Sequence, residues 1–153
     1  MIFISYRRDD ESYFANLLFE ALQAAFGIDS VIMDIDSIPL RVDFRVYVAQ
    51  KIKTARVTIA IIGPKWEVLQ ELGDSRRIAR IMNPNDYVRC EIEMSRDAGI
   101  PIIPIYVSRM AGIDAKSLPK SLRFIPFLNG LIVESNAAVK PTFRRLTASL
   151  ELL

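Results

Sequence analysis

The stretch "VTIAIIG", residues 57–63, carries the strongest indication of how this chain folds. It is apolar at almost every position and rich in β-branched residues. A strand with one buried face alternates apolar and polar residues, whereas a strand covered on both faces is apolar nearly throughout. The stretch therefore predicts a strand at the centre of a parallel sheet.

Short apolar runs alternate with helical patterns on either side of this stretch. Further strands are predicted at 1–5, 31–33, 101–107 and near 131–133. The spacing of apolar residues predicts helices over 11–26, 43–55, 84–98 and 141–152, while 64–83 is expected to be a long loop or irregular helices. With right-handed crossovers, this order predicts an α/β, flavodoxin-like, doubly wound sheet of five parallel strands in the order 2-1-3-4-5, with helices on both faces. We expect one domain over residues 1–153, which could be cut from a longer protein.

The composition excludes several kinds of chemistry. The 153 residues contain no histidine and one cysteine, which excludes Ser-His-Asp and Cys-His nucleophiles, histidine-based metal sites and an internal disulfide. The net charge of +2 is too small to indicate general binding to nucleic acid or to membranes. No apolar run approaches the roughly 18 residues of a membrane span. We therefore expect a cytoplasmic domain without a metal, and a solvated face for the cluster Arg76, Arg77 and Arg80.

A ligand site is expected where the strand order reverses. In a doubly wound sheet, ligands bind beyond the carboxyl ends of the strands at this switch point, here between the first and third strands. The exit loops of these strands are "YRRDD", residues 6–10, and "GPKW", residues 63–66. Neither G-x-G-x-x-G nor a Walker motif is present, which disfavours a conventional dinucleotide-binding fold.

One carboxylate stands out in the predicted helix 84–98, for which Asn83 is the expected N-cap. At about 100° per residue, Glu91 falls inside the apolar arc, whereas Glu93 falls on the polar side with Arg89. Glu91 could face the crevice, or it could be an inward glutamate in an ion pair. Alternatives stay open for other candidates too: Arg7 and Arg8 could be solvated or could hold the acidic stretch 9–11, and Trp66 could be a packing residue.

Five segments together resemble a Toll/interleukin-1 receptor (TIR) domain of bacterial type. "IFISYRRDD" is similar to the opening motif of the family, and "VIMDIDSIPLRVDF" to its second strand and long following loop. "IAIIGPKW" and "GIPIIPIYV" are similar to its third and fourth strands, and "NDYVRCEIE" to the helix that carries the catalytic glutamate of NAD-cleaving members. The segments occur in the order and spacing of the family and cover nearly the whole chain.

The resemblance implies a site for NAD⁺ as substrate, with no other cofactor. It makes Glu91 the catalytic carboxylate and places Tyr6, Arg7 and Arg8 on the nucleotide side. Trp66 or Tyr87 would offer a stacking face, and Asp34 and Ile38 of the long loop complete the expected substrate-binding set. Two departures from the family pattern are the tyrosine at position 87, where tryptophan is frequent, and Pro39-Leu40-Arg41, where Pro-Pro-Gly is usual.

Two functions are compatible with the resemblance. The first is an NAD⁺ nucleosidase that releases nicotinamide and forms ADP-ribose or a cyclic isomer, activated by TIR–TIR self-association in bacterial defence or signalling, with a fused or separate sensor domain. The second is a non-catalytic interaction module, or a virulence effector that mimics host adaptors. A phosphoacceptor receiver domain is disfavoured because its third strand would end in aspartate, and this one ends Ile62-Gly63.

Overall fold

The central strand is buried on both faces, as its sequence predicts. The computed structural model describes residues 1–33, 40–109 and 111–153, and "VTIAII" forms a strand buried at all six positions. Val57, Ile59 and Ile61 pack on one face of the sheet, and Ala60 and Ile62 pack on the other. A strand with no solvated face belongs inside a layered α/β domain.

Strands and helices alternate along the described residues. The strands are β1 (Ile2–Ser5), β2 (Val31–Met33), β3 (Val57–Ile62), β4 (Ile102–Val107) and β5 (Leu131–Val133). The helices are α1 (Arg8–Phe26), α2 (Phe44–Lys53), α3 (Tyr87–Asp97) and α4 (Asn136–Leu150). The strands pair in parallel in the order β2-β1-β3-β4-β5, which confirms the predicted flavodoxin-like topology.

The helices cover the sheet from both sides. On one side, α1 and α4 contribute Phe14, Leu18 and Leu146 to a cluster that includes Ile59 of β3. On the other side, α2 packs Val48 and Ile52 beside Phe3, and α3 packs Ile92 beside Ile62. This arrangement leaves the carboxyl ends of β1 and β3 at one edge of the sheet, where the loops that follow them meet.

Several helix boundaries differ from prediction, and α1, for example, begins at Arg8 instead of residue 11. Asp86, not Asn83, is the N-cap of α3, because its side chain accepts a hydrogen bond from the Arg89 backbone N–H at 3.1 Å. The Asn83 side chain instead accepts from the Asn85 N–H at 2.9 Å, which closes a local turn before the helix. Helix α4 begins at Asn136 and accommodates Pro141 inside it, where the sequence predicted a start at 141.

The segment between β3 and α3 is irregular, as predicted. It is held by turns and by an isolated antiparallel bridge between Gln70 and Ala79. The Arg80 backbone N–H donates to the Leu69 carbonyl at 2.8 Å, and a short 3₁₀ helix follows at Arg80–Met82. Ile81 is fully buried, so this part of the segment is anchored to the core.

Candidate functional site

A cavity of about 510 Å³ opens at the carboxyl end of β1. Its size lies within the usual range for small-molecule sites. The amino-terminal ends of α1 and α3 border it, and both helix dipoles present their positive ends there. The described lining residues are Ile4, Tyr6, Arg7, Arg8, Asp9, Glu71, Arg80, Asn83, Asn85, Asp86, Tyr87, Val88 and Glu91.

The cavity brings together most of the residues proposed from the sequence. Tyr6, Arg7, Arg8, Tyr87 and Glu91 all line it. Asp34 and Ile38 lie outside the described residues. These candidate side chains therefore converge at the carboxyl end of β1, whereas the described lining includes no residue of β3 or of its exit loop 63–66.

Glu91 is buried, with 6% of its surface exposed, although it carries a carboxylate. The Ser5 hydroxyl, at the end of β1, donates a hydrogen bond to Glu91 Oε2 at 2.5 Å. Such a bond between side chains on two elements fixes the direction of the carboxylate at the cavity wall. Ser5 was not predicted as a site residue, although a polar residue at the end of an otherwise apolar strand indicates such a position.

Arg7 forms a buried ion pair across the site. Its two terminal nitrogens each lie 2.9 Å from an oxygen of Asp86, and the side chains are 4% and 7% exposed. Asp86 also caps α3, so the pair ties the end of β1 to the helix that carries Glu91. Both terminal nitrogens of Arg7 are already paired with Asp86, so the expected binding of nucleotide phosphates by Arg7 would have to break this buried ion pair.

Tyr87 lies at the rim of the cavity with 56% of its surface exposed. Its ring stacks on Phe44, the first residue of α2, with centroids 4.2 Å apart and planes tilted by 39°. This contact leaves Tyr87 partly open to solvent and available as a flat surface for a ligand ring. Phe44 was not predicted as a supporting residue, since 43 positions separate the two in sequence.

Trp66 does not offer a stacking surface. It is 1% exposed and packs with Ile62 and Ile81 in the core, and it is absent from the described lining of the cavity. The proposed stacking role of Trp66 was therefore wrong, and the alternative of a packing residue holds. The large apolar ring is better accommodated in the interior than at a polar cavity wall.

Arg80 is the residue whose position differs most from expectation. Arg76 and Arg77 are exposed as predicted, but the Arg80 side chain is only 16% exposed and lines the cavity. Arg80 Nη1 lies 2.8 Å from Asp9 Oδ2, and Nε lies 3.4 Å from Glu71 Oε1.

A second group of charged residues surrounds the end of β3. Arg109 forms a bidentate pair with Glu67 at 2.7 Å on both arms and also donates to the Gly63 carbonyl at 3.0 Å. Asp10 Oδ1 accepts from the Lys65 N–H at 2.9 Å, while Oδ2 is buried with no hydrogen-bond partner among the described residues. Burial raises the pKa of Asp10, and the hydrogen bond from Lys65 opposes that rise.

The described residues show no grouping of three or more side chains suited to hold a metal ion. Within the same part of the chain, none of the helices has the length and apolar character needed to cross a membrane. The described wall of the cavity carries carboxylates, guanidinium groups, side-chain amides and the phenol rings of Tyr6 and Tyr87.

A parallel sheet of this order, with helices on both faces, defines a flavodoxin-like α/β domain. The family model described as "TIR domain" matches residues 2–140. The chain therefore belongs to the TIR domain family.

A solved structure with the same fold is that of the TIR domains of the activated Roq1 resistosome, which directly recognises the pathogen effector XopQ. The match has a TM-score of 0.65 and 11% sequence identity, and it covers 97% of this chain and 98% of that one. At this identity the likeness concerns the fold. A comparison with curated proteins gives no match.

Proposed function

We propose that this TIR domain is an NAD⁺ nucleosidase in which Glu91 is the catalytic carboxylate. The observation that carries the proposal is a buried glutamate, fixed by Ser5 at 2.5 Å, on the wall of a cavity at the carboxyl end of β1. A carboxylate held in this way is suited to interact with the ribose of a nucleotide. The resemblance of "NDYVRCEIE" to the catalytic helix of NAD-cleaving members gives independent support.

The proposed reaction breaks the bond between the ribose C1′ and the nicotinamide nitrogen. The bonding electron pair moves to the nicotinamide ring, which leaves as a neutral molecule, and positive charge develops on the ribose. The negative charge of Glu91 stabilises this oxocarbenium-like transition state, as carboxylates do in glycoside cleavage. Water then adds to C1′ and releases a proton to give ADP-ribose, or an adenine nitrogen adds to give a cyclic isomer.

Self-association is the second part of the proposal. Leu40 and Val42 lie in the long loop after β2 and Val46 lies in the first turn of α2, and they are 95%, 42% and 53% exposed. Exposed apolar residues clustered in one segment are typical of interaction surfaces. We therefore infer that copies of the domain associate through this region and are more active when assembled, under the control of a fused or separate sensor in bacterial defence or signalling.

The test is incubation of the protein with NAD⁺ at several protein concentrations, with chromatographic separation of the products. Glu91→Gln should lower turnover at least ~100-fold, because it removes the charge that stabilises the transition state. Glu93→Gln is the matched control on the same helix. Glu93 accepts from Arg89 and from Ser121 and is absent from the described lining of the cavity, so this variant should keep nearly full activity.

Wild-type turnover by Glu91→Gln would overturn the assignment of the catalytic residue. Specific activity that rises with protein concentration would support activation by assembly, and a flat profile would contradict it. A folded protein that cleaves no NAD⁺ at any concentration would favour the second candidate, a non-catalytic interaction module. The exposed apolar residues after β2 are the observation that favours this candidate.

A further inference from the structure

We propose that Arg80 binds the diphosphate of the dinucleotide substrate, and that Asp9 and Glu71 compete with the substrate for its guanidinium group. This inference rests on the proposed function and assigns a specificity-determining residue to the same cavity. Arg80, Asp9 and Glu71 all line that cavity together with Glu91. A phosphate at Arg80 and a ribose at Glu91 would therefore occupy one continuous space.

Two arginines of the cavity wall, the buried Arg7 and the partly buried Arg80, differ in the exposure of their carboxylate partners. Arg7 is paired with Asp86, which is 7% exposed and held in place by the cap of α3. Arg80 is paired with Asp9 and Glu71, whose side chains are 58% and 57% exposed. Solvent can take over the hydrogen bonds of these exposed carboxylates when they leave, and exposed ion pairs are weak. Arg80 can therefore exchange its partners for a ligand anion. The same exchange at Arg7 would leave the buried carboxylate of Asp86 without a counter-ion.

Arg80 also has unused hydrogen-bonding capacity. Its Nε is buried and has no hydrogen-bond partner within the described part of the chain, as is also true of Arg7 Nε, and Glu71 Oε1 at 3.4 Å forms only a loose ion pair with the Nε of Arg80. Most of the side chain is fixed by burial, so the guanidinium is presented to the cavity at little further cost in conformational freedom. The planar guanidinium group of Arg80, with its Nε–H as an unused donor, matches the geometry of phosphate oxygens.

This arrangement defines the class of substrate that the cavity prefers. A substrate with phosphates displaces Asp9 and Glu71 from Arg80 and forms charge-assisted hydrogen bonds in their place. A nucleoside without phosphates leaves the ion pairs intact and gains nothing from Arg80. We therefore expect discrimination between NAD⁺ and nicotinamide riboside, which share the scissile bond but differ in the diphosphate and the adenosine.

The experiment compares Arg80→Met with Arg77→Met, since methionine preserves much of the apolar stem. Arg77 lies in the same segment, is exposed and is not among the described residues of the cavity wall. Values of kcat/KM for NAD⁺ and nicotinamide riboside are measured for both variants. Dissociation constants for NAD⁺ are measured by calorimetry in a Glu91→Gln background, where the substrate should persist.

Arg80→Met should weaken NAD⁺ binding about tenfold or more, which corresponds to one charge-assisted hydrogen bond. It should lower kcat/KM for NAD⁺ to a similar extent and leave that for nicotinamide riboside unchanged, while Arg77→Met should change neither. Asp9→Asn should shift NAD⁺ affinity the other way, severalfold tighter, because it weakens the competitor for Arg80. Opposite effects of the two changes are not expected from a general disturbance of the fold.

The proposal is overturned if Arg80→Met and Arg77→Met bind NAD⁺ equally, if Arg80→Met weakens both substrates to the same extent, or if Asp9→Asn weakens NAD⁺ binding. It is also overturned if the protein does not bind NAD⁺. A wild-type protein that binds NAD⁺ in an Arg80-dependent manner but does not cleave it would refute the nucleosidase function and leave the assignment of Arg80 standing.

Discussion

Replacing Arg7 with methionine should destabilise the fold more than it weakens substrate binding. The change leaves the carboxylate of Asp86, which is 7% exposed, without its bidentate partner. Removing one member of a buried ion pair typically costs about 3–5 kcal/mol, since the remaining charge is uncompensated. For a domain of about 150 residues, each kcal/mol lowers Tm by roughly 2–4 °C. We therefore expect a loss on the order of 10 °C.

A double-mutant cycle separates this pair from general effects on packing. Asp86→Asn keeps a good N-cap for α3 and removes only the charge. It should also be destabilising, since it leaves Arg7 unpaired. The combination Arg7→Met with Asp86→Asn should be more stable than the sum of the single losses predicts, with a coupling energy of about 2 kcal/mol.

Urea denaturation followed by tryptophan fluorescence is a direct assay. Trp66 is the single tryptophan of the chain and is 1% exposed, so its emission should report the loss of the core. Far-ultraviolet circular dichroism supplies a second probe to test for two-state behaviour. Stability of Arg7→Met within about 0.5 kcal/mol of wild type, or additive single changes, would refute the reasoning that this buried pair supports the site.

Two further predictions concern single side chains. Ser5→Ala should lower kcat for NAD⁺ about tenfold with little change in KM, because the hydroxyl orients Glu91 for the transition state; equal effects on both constants would contradict a positioning role. Burial raises the pKa of Asp10, so the folded state binds this proton more tightly than the unfolded state does. The charged carboxylate therefore destabilises the fold above the folded pKa, and this destabilisation is relieved as the pH falls toward the ordinary value of 3.8. The Tm of wild type minus the Tm of Asp10→Asn should therefore increase as the pH falls from neutral. A difference that does not vary with pH would contradict this prediction.

The topology was predictable because it follows from local patterns of apolar residues along the chain. The apolar run of β3 indicates burial on both faces, and the alternation of strands with helices restricts the order of the sheet. The start of α3 was not predictable in the same way. Asn83 and Asp86 are both good N-caps, and the choice between them involves Arg7, which lies 79 residues before Asp86 and binds its carboxylate.

The candidate site was predictable to the extent that helical periodicity determines which side of a helix is buried. The apolar arc of α3 correctly indicated that the side chain of Glu91 is buried. Periodicity carries no information about which distant residue meets that side chain, so Ser5 was missed. Trp66 was misplaced because an aromatic residue after a central strand can turn either to the cavity or to the core, and only the packing of Ile62 and Ile81 decides.

The arginines show why residue type alone does not assign a role in this cavity. Arg7 and Arg80 carry the same group, line the same space and are both mostly buried. What separates them is the exposure of their carboxylate partners. A partner buried with the arginine cannot leave without a large desolvation cost to both charges, so Arg7 supports the structure. Partners that extend into solvent lose little when a ligand replaces them, which is why we propose Arg80, rather than Arg7, as a residue that binds a substrate phosphate.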